Sequence, residues 1–120
     1  MKNYRQTVGE IGEQLAIQYL EENGYQVIKH HYTTHWGELD IIAQKESTLH
    51  LIEVKTRIGD SKGKPYEAIT YFKLRALKRA AQQFLLSHNY STYKLSILAI
   101  SIILYPDKTL KSLQLFAVPV

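Results

Sequence analysis

Two neighbouring segments of this 120-residue chain carry the apolar pattern that is typical of strands. Residues 38 to 43 and 49 to 56 are rich in β-branched and large apolar side chains, which favour extended structure. The residues between them, 44 to 48, are all polar and are typical of a turn. The pattern therefore predicts a β-hairpin.

Helical periodicity predicts a helix before this hairpin. Thr7 and Glu10 have the spacing of a capping box, in which each residue bonds the backbone N–H of the other. Asn23-Gly24 follows the apolar run and is suited to ending it. The predicted apolar stripe consists of Val8, Ile11, Leu15, Ala16, Tyr19 and Leu20.

A second helix and further strands are predicted after the hairpin. The helix runs from about Tyr66 to His88 with a break near Thr70. The spacing of its apolar residues indicates which side faces the core. Residues 95 to 104 form an apolar run that is too short to span a bilayer, and a turn at 106 to 109 precedes a last strand. The helix residues expected toward the core are Phe72, Ala76, Leu77, Ala80, Phe84 and Leu85.

These helices and strands predict the α/β class, with helices covering a sheet. Hydrophobic residues make up 45% of the chain, which is enough to build a core in one domain covering residues 1–120. Leu39 and Ile41 are expected on one face of the first hairpin strand, and Ile42 and Leu51 on the other. Such strands should be covered on both faces.

Acidic residues of the hairpin are expected to meet across it. If Ala43 lies opposite His50, the same register places Asp40 opposite Glu53, with Cβ atoms about 5 Å apart. Lys55 lies two residues after Glu53 and therefore shares its face. A two-residue slip keeps both acids on one face, whereas a one-residue slip separates them.

Two converging carboxylates repel each other unless a cation lies between them, and their hard oxygen atoms suit Mg²⁺ or Mn²⁺. A lysine beside such an ion can position water or neutralise charge on a phosphate. The alternative is that Glu53 and Lys55 form an ordinary ion pair on an exposed strand. The first helix offers a third acid: Glu13 lies at the edge of the apolar stripe, where it could reach the acidic face or be an ordinary flank charge, whereas Glu10 is assigned to the cap.

Several motifs occur in an order that resembles the YraN-type family of small bacterial proteins. They are G-x-x-G-E-x-x-A at Gly9–Ala16, G-E-L-D at Gly37–Asp40 and E-V-K-T-R at Glu53–Arg57. The match continues through Pro65–Ile69, Lys73 and Leu77–Ala81 and so covers nearly the whole chain. That family is placed in the PD-(D/E)XK nuclease superfamily and is similar to archaeal Holliday-junction resolvases.

The resemblance implies a restriction-endonuclease-like core, which is a central mixed sheet flanked by α-helices. It places the nuclease signature on Asp40, Glu53 and Lys55 and the helical glutamate on Glu13. On this hypothesis Asp40 and Glu53 hold Mg²⁺ or Mn²⁺ together with the Val54 carbonyl. Lys55 orients or activates water, and Glu13 assists through metal-bound water. One departure is Ser96, where family members typically carry aspartate, and it puts in doubt any role of that strand in orienting substrate or Lys55.

Charge is compatible with a DNA partner. Fifteen Lys and Arg against 11 Asp and Glu give a net charge of +4, which suits a polyanion without identifying one. Arg57, Lys62 and Lys64 lie in or beside a Gly-rich loop after the second hairpin strand, and Lys73 follows in the helix. These residues are candidates for contacting the phosphate backbone; a solvated connection is the equal alternative for the loop.

Other residue types narrow the possibilities. The chain has no cysteine, which excludes disulfides and thiolate zinc sites. The first ten residues lack the apolar centre of a signal peptide, so we expect a cytoplasmic protein with no membrane partner. The five histidines lack metal-binding spacing. His35-Trp36 could stack on an unpaired base or pack its turn onto the core, and core packing is favoured.

The resulting hypothesis is a Mg²⁺-dependent endonuclease that hydrolyses phosphodiester bonds in DNA, including branched or Holliday-junction DNA. Paired nicks in a junction need two active sites, so a homodimer is expected for that substrate. Two alternatives stay open. One is a nucleic-acid-binding module without a productive metal site, and the other is a protein-interaction domain in a DNA-processing complex.

Overall fold

The described part of the chain forms a five-stranded sheet with one helix on each face. The computed structural model describes residues 6–59 and 70–119, and Lys62, Lys64 and the predicted helical residues 66–69 lie outside this part. The elements in chain order are α1 (Val8–Glu22), β1 (Gln26–Thr34), β2 (Gly37–Lys45), β3 (Thr48–Ile58), α2 (Tyr71–Ser87), β4 (Lys94–Leu104) and β5 (Leu110–Val118).

The strands lie in the sheet in their chain order, β1-β2-β3-β4-β5. Neighbouring strands are antiparallel except β3 and β4, which are parallel. Parallel strands need a crossover that returns the chain to the same end of the sheet, and the segment containing α2 makes this connection. The predicted α/β class with a central mixed sheet is confirmed.

The two faces of the sheet form separate apolar cores. Under α1, the core residues include Ala16, Leu20, Ile41, Ile52 and Ile100. Under α2, they include Ile42, Leu51, Leu77, Phe84 and Ile97. Adjacent strand residues therefore point into opposite cores, as a pleated strand covered on both faces requires. No helix of the described segments is long and apolar enough to cross a membrane.

The expected pairing of Leu39 and Ile41 on one face is wrong. Ile41 lies in the core under α1, whereas Leu39 lies in the core under α2. The regular alternation changes between these two residues, at Asp40. The β2–β3 ladder also ends here, because Ile41–Ile52 is its last pair toward this end, so the partner strand no longer holds the pleat of β2.

Gly12 brings α1 unusually close to β3. A Cβ atom at this position would lie 1.7 Å from Thr56 Oγ1, so only glycine permits the observed contact. The most buried residues of α1 are Gly12, Glu13, Ala16 and Leu20. The predicted stripe is therefore displaced around the helix, and Glu13 lies inside the interface rather than at its edge.

The second helix begins at Tyr71, directly after Thr70, whose side chain accepts a hydrogen bond from Lys73 N at 3.2 Å. Its buried residues are Leu77, Ala80, Ala81 and Phe84. The prediction that Phe72 faces the core is wrong, since 77% of its surface is exposed. Phe72 precedes Leu77 by five residues, which turns it about 140° away from the buried face.

Candidate active site

Asp40 and Glu53 lie at the point where β2 and β3 separate. The ladder has the predicted register, with Ala43 opposite His50 and Ile41 opposite Ile52. One step further, the strands do not continue as a ladder. Instead, Val54 N donates a hydrogen bond of 2.9 Å to Asp40 Oδ2, so the side chain of one strand takes the place of a backbone acceptor and is fixed beside Glu53.

Asp40 is an unfavourable place for a negative charge. Burial and then the neighbouring Glu53 carboxylate raise the pKa of Asp40 to about 6, although the bond from Val54 N opposes the change. Glu53 itself is only 3% exposed. Two carboxylates this close favour a proton or a cation between them, which is the condition under which a hard divalent ion binds.

Two lysines face Glu53. Lys73 Nζ forms an ion pair with Glu53 Oε1, and Lys55 Nζ lies 3.6 Å from the same oxygen. The Thr70 cap fixes the start of α2 and so positions Lys73 in its first turn. Burial lowers the pKa of Lys73, but the hydrogen bond to Glu53 and the negative charges of Glu53 and Asp40 together outweigh this, and the net pKa is raised. Lys73 is therefore a cation at the site.

Glu13 is held by histidines of β1 rather than by the Asp40–Glu53 pair. Its Oε2 lies 2.9 Å from His31 Nε2, and its Oε1 lies 3.6 Å from His30 Nδ1. Burial raises the pKa of Glu13, and the nearby histidines oppose this. Glu13 still acts on the site at longer range, because its charge contributes to the raised pKa of Asp40.

His31 bridges two carboxylates. Its Nδ1 lies 3.0 Å from Glu38 Oε1 while Nε2 contacts Glu13. A ring with an acceptor at each nitrogen is best satisfied as the imidazolium, which donates from both. The hydrogen bond with Glu38 is the main reason that the pKa of His31 is raised. The spacing of the histidines along the sequence predicted no role for this residue.

The bridging role of His31 is difficult to predict from the sequence because β1 is irregular. No element was predicted for residues 25 to 34. The register shifts between Val27 and Lys29, and His31 has a φ of 51°, in the left-handed region that few residues adopt. A bulged strand with a polar outer edge lacks clean alternation, so the pattern gave no strand signal.

A cleft of about 280 Å³ contains the acidic pair and opens between β2 and α2. Asp40, Glu53 and Lys73 line the cleft, and Trp36 lies at its lip. Trp36 is 41% exposed and belongs to neither core, so the favoured packing of this side chain onto the core is wrong. Small and apolar α2 residues complete the wall: Ala76, Leu77 and Ala80.

Comparison with known proteins shows the family to which this chain belongs. The family model described as "Uncharacterised protein family UPF0102" matches residues 12–103, from α1 through most of β4. The chain belongs to the UPF0102 family. This confirms the YraN-type resemblance at the level of the family.

Relatives of this UPF0102 protein are bacterial. A UPF0102 protein of Alkaliphilus oremlandii is 46% identical over 81 residues, covering 68% of this chain and 69% of the relative. One of Caldanaerobacter subterraneus subsp. tengcongensis is 34% identical over 104 residues, covering 87% and 85%. One of Clostridium perfringens is 40% identical over 85 residues, covering 71% and 70%. Their names state the family and no reaction.

The donor atoms of this UPF0102 protein suit a hard ion but do not enclose one. Within residues 6–59 and 70–119, no group of three or more His, Asp or Glu side chains is arranged to hold a metal. Asp40 and Glu53 supply two carboxylates, and the Val54 carbonyl is the predicted third ligand. Glu13 Oε1 is buried without a hydrogen-bond partner. Mg²⁺ commonly takes only one or two carboxylates and completes its shell with water and phosphate, so the residues fit.

The remaining predicted residues lie at different distances from the cleft. Arg57 is half-buried on β3, four residues after Glu53 and on the same face by strand periodicity. Ser96 lies opposite His50, whereas Lys55 lies opposite Ser101. Five strand residues, about 16 Å, therefore separate Ser96 from the neighbour of Lys55, so the departure at Ser96 does not alter the immediate surroundings of Lys55.

Proposed function

We propose that this UPF0102 protein is a Mg²⁺- or Mn²⁺-dependent endonuclease that hydrolyses phosphodiester bonds in DNA, with branched DNA, including Holliday junctions, as the candidate substrate. The observation that carries the proposal is the pair of mutually repelling carboxylates in the cleft beside Lys55 and Lys73, of which Glu53 is buried and Asp40 is half-buried. Buried like charges beside lysines are a common property of catalytic sites that bind ions and phosphate. Cytoplasmic residence belongs to the same proposal.

Asp40, Glu53 and the Val54 carbonyl would hold the ion. Bound there, Mg²⁺ or Mn²⁺ would polarise the phosphate and lower the pKa of water. Asp40 is oriented for this role by the hydrogen bond from Val54 N. A residue fixed in this way loses little freedom when it binds a ligand.

Lys55 and Lys73 would act on the phosphate and the attacking water. In the absence of substrate, both ammonium groups are near Glu53 Oε1. With DNA bound, Lys55 would orient the water and Lys73 would turn from Glu53 to a phosphate oxygen, where positive charge stabilises the developing negative charge. Glu13, held by His31, would accept a proton or orient water from the side of α1.

Arg57 and the basic residues Lys62 and Lys64 would contact the DNA backbone, the last two from outside the described residues. A net charge of +4 favours this association at low salt. If the substrate is a four-way junction, two copies of the chain are needed to place two cuts, so the proposal includes a homodimer for that substrate.

The test is cleavage of end-labelled single-stranded, duplex, flap and four-way-junction DNA with Mg²⁺ or Mn²⁺. We expect wild-type protein to cut at least one of these substrates and Glu53→Gln to lose at least about 1,000-fold in rate, because an ion ligand is removed. Glu46→Gln is the matched control, since Glu46 is an exposed acid at the other end of the same hairpin. Equal cutting by wild type and Glu53→Gln would contradict the proposal.

A second candidate is a DNA-binding module that uses the same cleft without metal. It is favoured by one observation: Lys55 and Lys73 both lie beside Glu53 Oε1 and already compensate the charge of this carboxylate. This candidate predicts DNA binding in a gel shift that is unchanged by EDTA, with no cleavage of any substrate. The nuclease predicts metal-dependent cleavage that Asp40→Asn and Glu53→Gln remove while DNA binding remains.

A further inference from the structure

Trp36 is held outward at the lip of the cleft by a tight turn between β1 and β2. Thr34 Oγ1 donates to Gly37 O at 2.7 Å and accepts from Trp36 N at 3.1 Å. Gly37 has a φ of 124°, which side chains other than glycine adopt with difficulty. These contacts fix the backbone on both sides of Trp36, so its exposed position follows from the turn and not from a loose loop.

The indole ring is supported by a cation. The Arg79 guanidinium of α2 lies 4.9 Å from the ring centroid, and the His35 ring approaches edge-on at 5.1 Å. Even so, 41% of the Trp36 surface is exposed. A large aromatic ring that is oriented by neighbours yet open to solvent is suited to stacking on a flat ligand.

The lip differs in charge from the floor of the cleft. Trp36 and the exposed Glu38 line the lip, whereas Lys73 reaches Glu53 on the floor. At the lip, Glu38 is paired with His31 and Arg79 is directed at the indole ring, whereas the lysines would attract a phosphate to the floor. The flat and less charged part of a nucleotide, its base, therefore fits best against Trp36 when its phosphate lies near Lys73.

We propose that Trp36, supported by Arg79, stacks on an unpaired DNA base next to the phosphate bound over Asp40 and Glu53, which rests on the proposed nuclease function. Bases inside a duplex are covered on both faces by their neighbours, so only an unpaired or displaced base can offer a face to the indole. The substrate class is then DNA with a single-stranded segment at the cut, such as a flap or an opened junction, rather than intact duplex.

Trp36 is the one tryptophan of the chain, so its fluorescence reports this position alone. In EDTA, which prevents cleavage, we would titrate wild-type protein with an oligothymidine of about 12 nucleotides and with a blunt duplex of equal charge. We expect saturable quenching by the single strand and little change with the duplex. Quenching by the duplex that equals quenching by the single strand would overturn the inference.

The contribution of Trp36 to DNA binding can be measured with variants, by the fluorescence anisotropy of labelled DNA. Trp36→Ala should weaken single-strand binding about 5- to 100-fold and leave duplex binding unchanged, whereas Trp36→Phe should retain most of the affinity. Tyr105→Ala is the matched control: Tyr105 is 48% exposed and has Lys111 6.0 Å from its ring centroid, but it does not line the cleft and follows Ala99, the β4 neighbour of Glu53, by six residues. An equal loss in Trp36→Phe and Trp36→Ala would overturn stacking.

The outcomes separate this inference from the proposed function. Metal-dependent cleavage with an unchanged single-strand preference in Trp36→Ala would overturn the stacking role and leave the nuclease intact. Single-strand binding that depends on Trp36 without cleavage by wild type would support stacking and contradict the nuclease. Tighter binding of the matching RNA would overturn DNA as the substrate class, and no binding of either nucleic acid would overturn both proposals.

Discussion

Two pairs of carboxylates lie close together in this protein, and their charges are compensated in different ways. Glu13 and Glu38 share His31, which contacts one with each ring nitrogen. Among the residues that the structure describes, none joins Asp40 and Glu53 in this way: the ion pairs of Lys55 and Lys73 are with Glu53, and the pKa of Asp40 is raised to about 6. The first pair carries its own counter-ion, whereas the second still favours an added proton or cation.

This difference suggests a division of roles. A histidine between two acids stabilises one arrangement of α1, β1 and β2, so the Glu13–His31–Glu38 group belongs to the frame of the site. The Asp40–Glu53 pair is strained electrostatically when it is empty, and sites of that kind bind ions at the expense of stability. Three substitutions test this comparison.

The largest effect on stability is expected from Gly12→Ala, which disturbs the Glu13–His31–Glu38 group through the packing of α1. The added methyl group would overlap Thr56 and push α1 and Glu13 away from the sheet. We expect the free energy of unfolding to fall by about 2–4 kcal/mol in urea denaturation. Gly9→Ala is the control, because the nearest atom is 4.0 Å away; it should be neutral or stabilising. A neutral Gly12→Ala would show that the close contact does not fix α1.

The next effect is expected from Asp40→Asn, which relieves repulsion in the second pair. Because the pKa of Asp40 is about 6 in the folded protein and near 3.8 when unfolded, its ionisation lowers stability as pH rises from about 4 to about 6. Asn removes the charge and can still accept the bond from Val54 N.

In EDTA at pH 7, we therefore expect Asp40→Asn to gain about 1–2 kcal/mol in urea denaturation, and the gain should disappear below pH 4. Adding Mg²⁺ should stabilise wild-type protein and not the variant. Glu46→Gln should change neither the stability in EDTA nor the stabilisation by Mg²⁺. A loss of stability in Asp40→Asn at pH 7 would mean that the two carboxylates are not in conflict.

The smallest effect is expected from His31→Asn. The raised pKa of His31 means that its contribution is complete below about pH 6.5 and is lost as pH rises through the higher folded value. Because this side chain is 53% exposed, we expect a loss of only about 0.5 kcal/mol at pH 6, falling toward zero by pH 9.

The control for that measurement is His31→Ala. Asn tolerates the left-handed backbone at position 31, whereas Ala does so less well, so Ala should add a loss of about 1 kcal/mol that does not depend on pH. If the loss in His31→Asn does not change with pH, the histidine does not contribute through its charge.

Local patterns were enough to predict the hairpin and its register. Ala43 and His50 are joined by a short polar turn, so their pairing follows from nearby residues, and the meeting of Asp40 with Glu53 follows from that pairing. The capping box at Thr7 and Glu10 is equally local, and both of its hydrogen bonds are present. The mixed sheet was implied by the resemblance to the family.

Contacts between distant parts of the chain could not be predicted in the same way. The displaced face of α1 depends on the fit of Gly12 against Thr56, and the bridge at His31 depends on where α1 crosses a bulged strand. The exposed position of Trp36 depends on the geometry of one turn. The roles of Asp40, Glu53, Lys55 and Glu13 in catalysis stay predictions until cleavage is measured.

The bulge in β1 also affects how the molecule meets other copies of itself. β1 is an edge of the described sheet, and an edge strand with free backbone groups can template aggregation by adding further strands. The register shift and the left-handed His31 bend this edge, and Lys29 and His30 add polar bulk on it. The irregularity that orients a histidine toward two acids therefore also protects this edge of the sheet from intermolecular strand pairing.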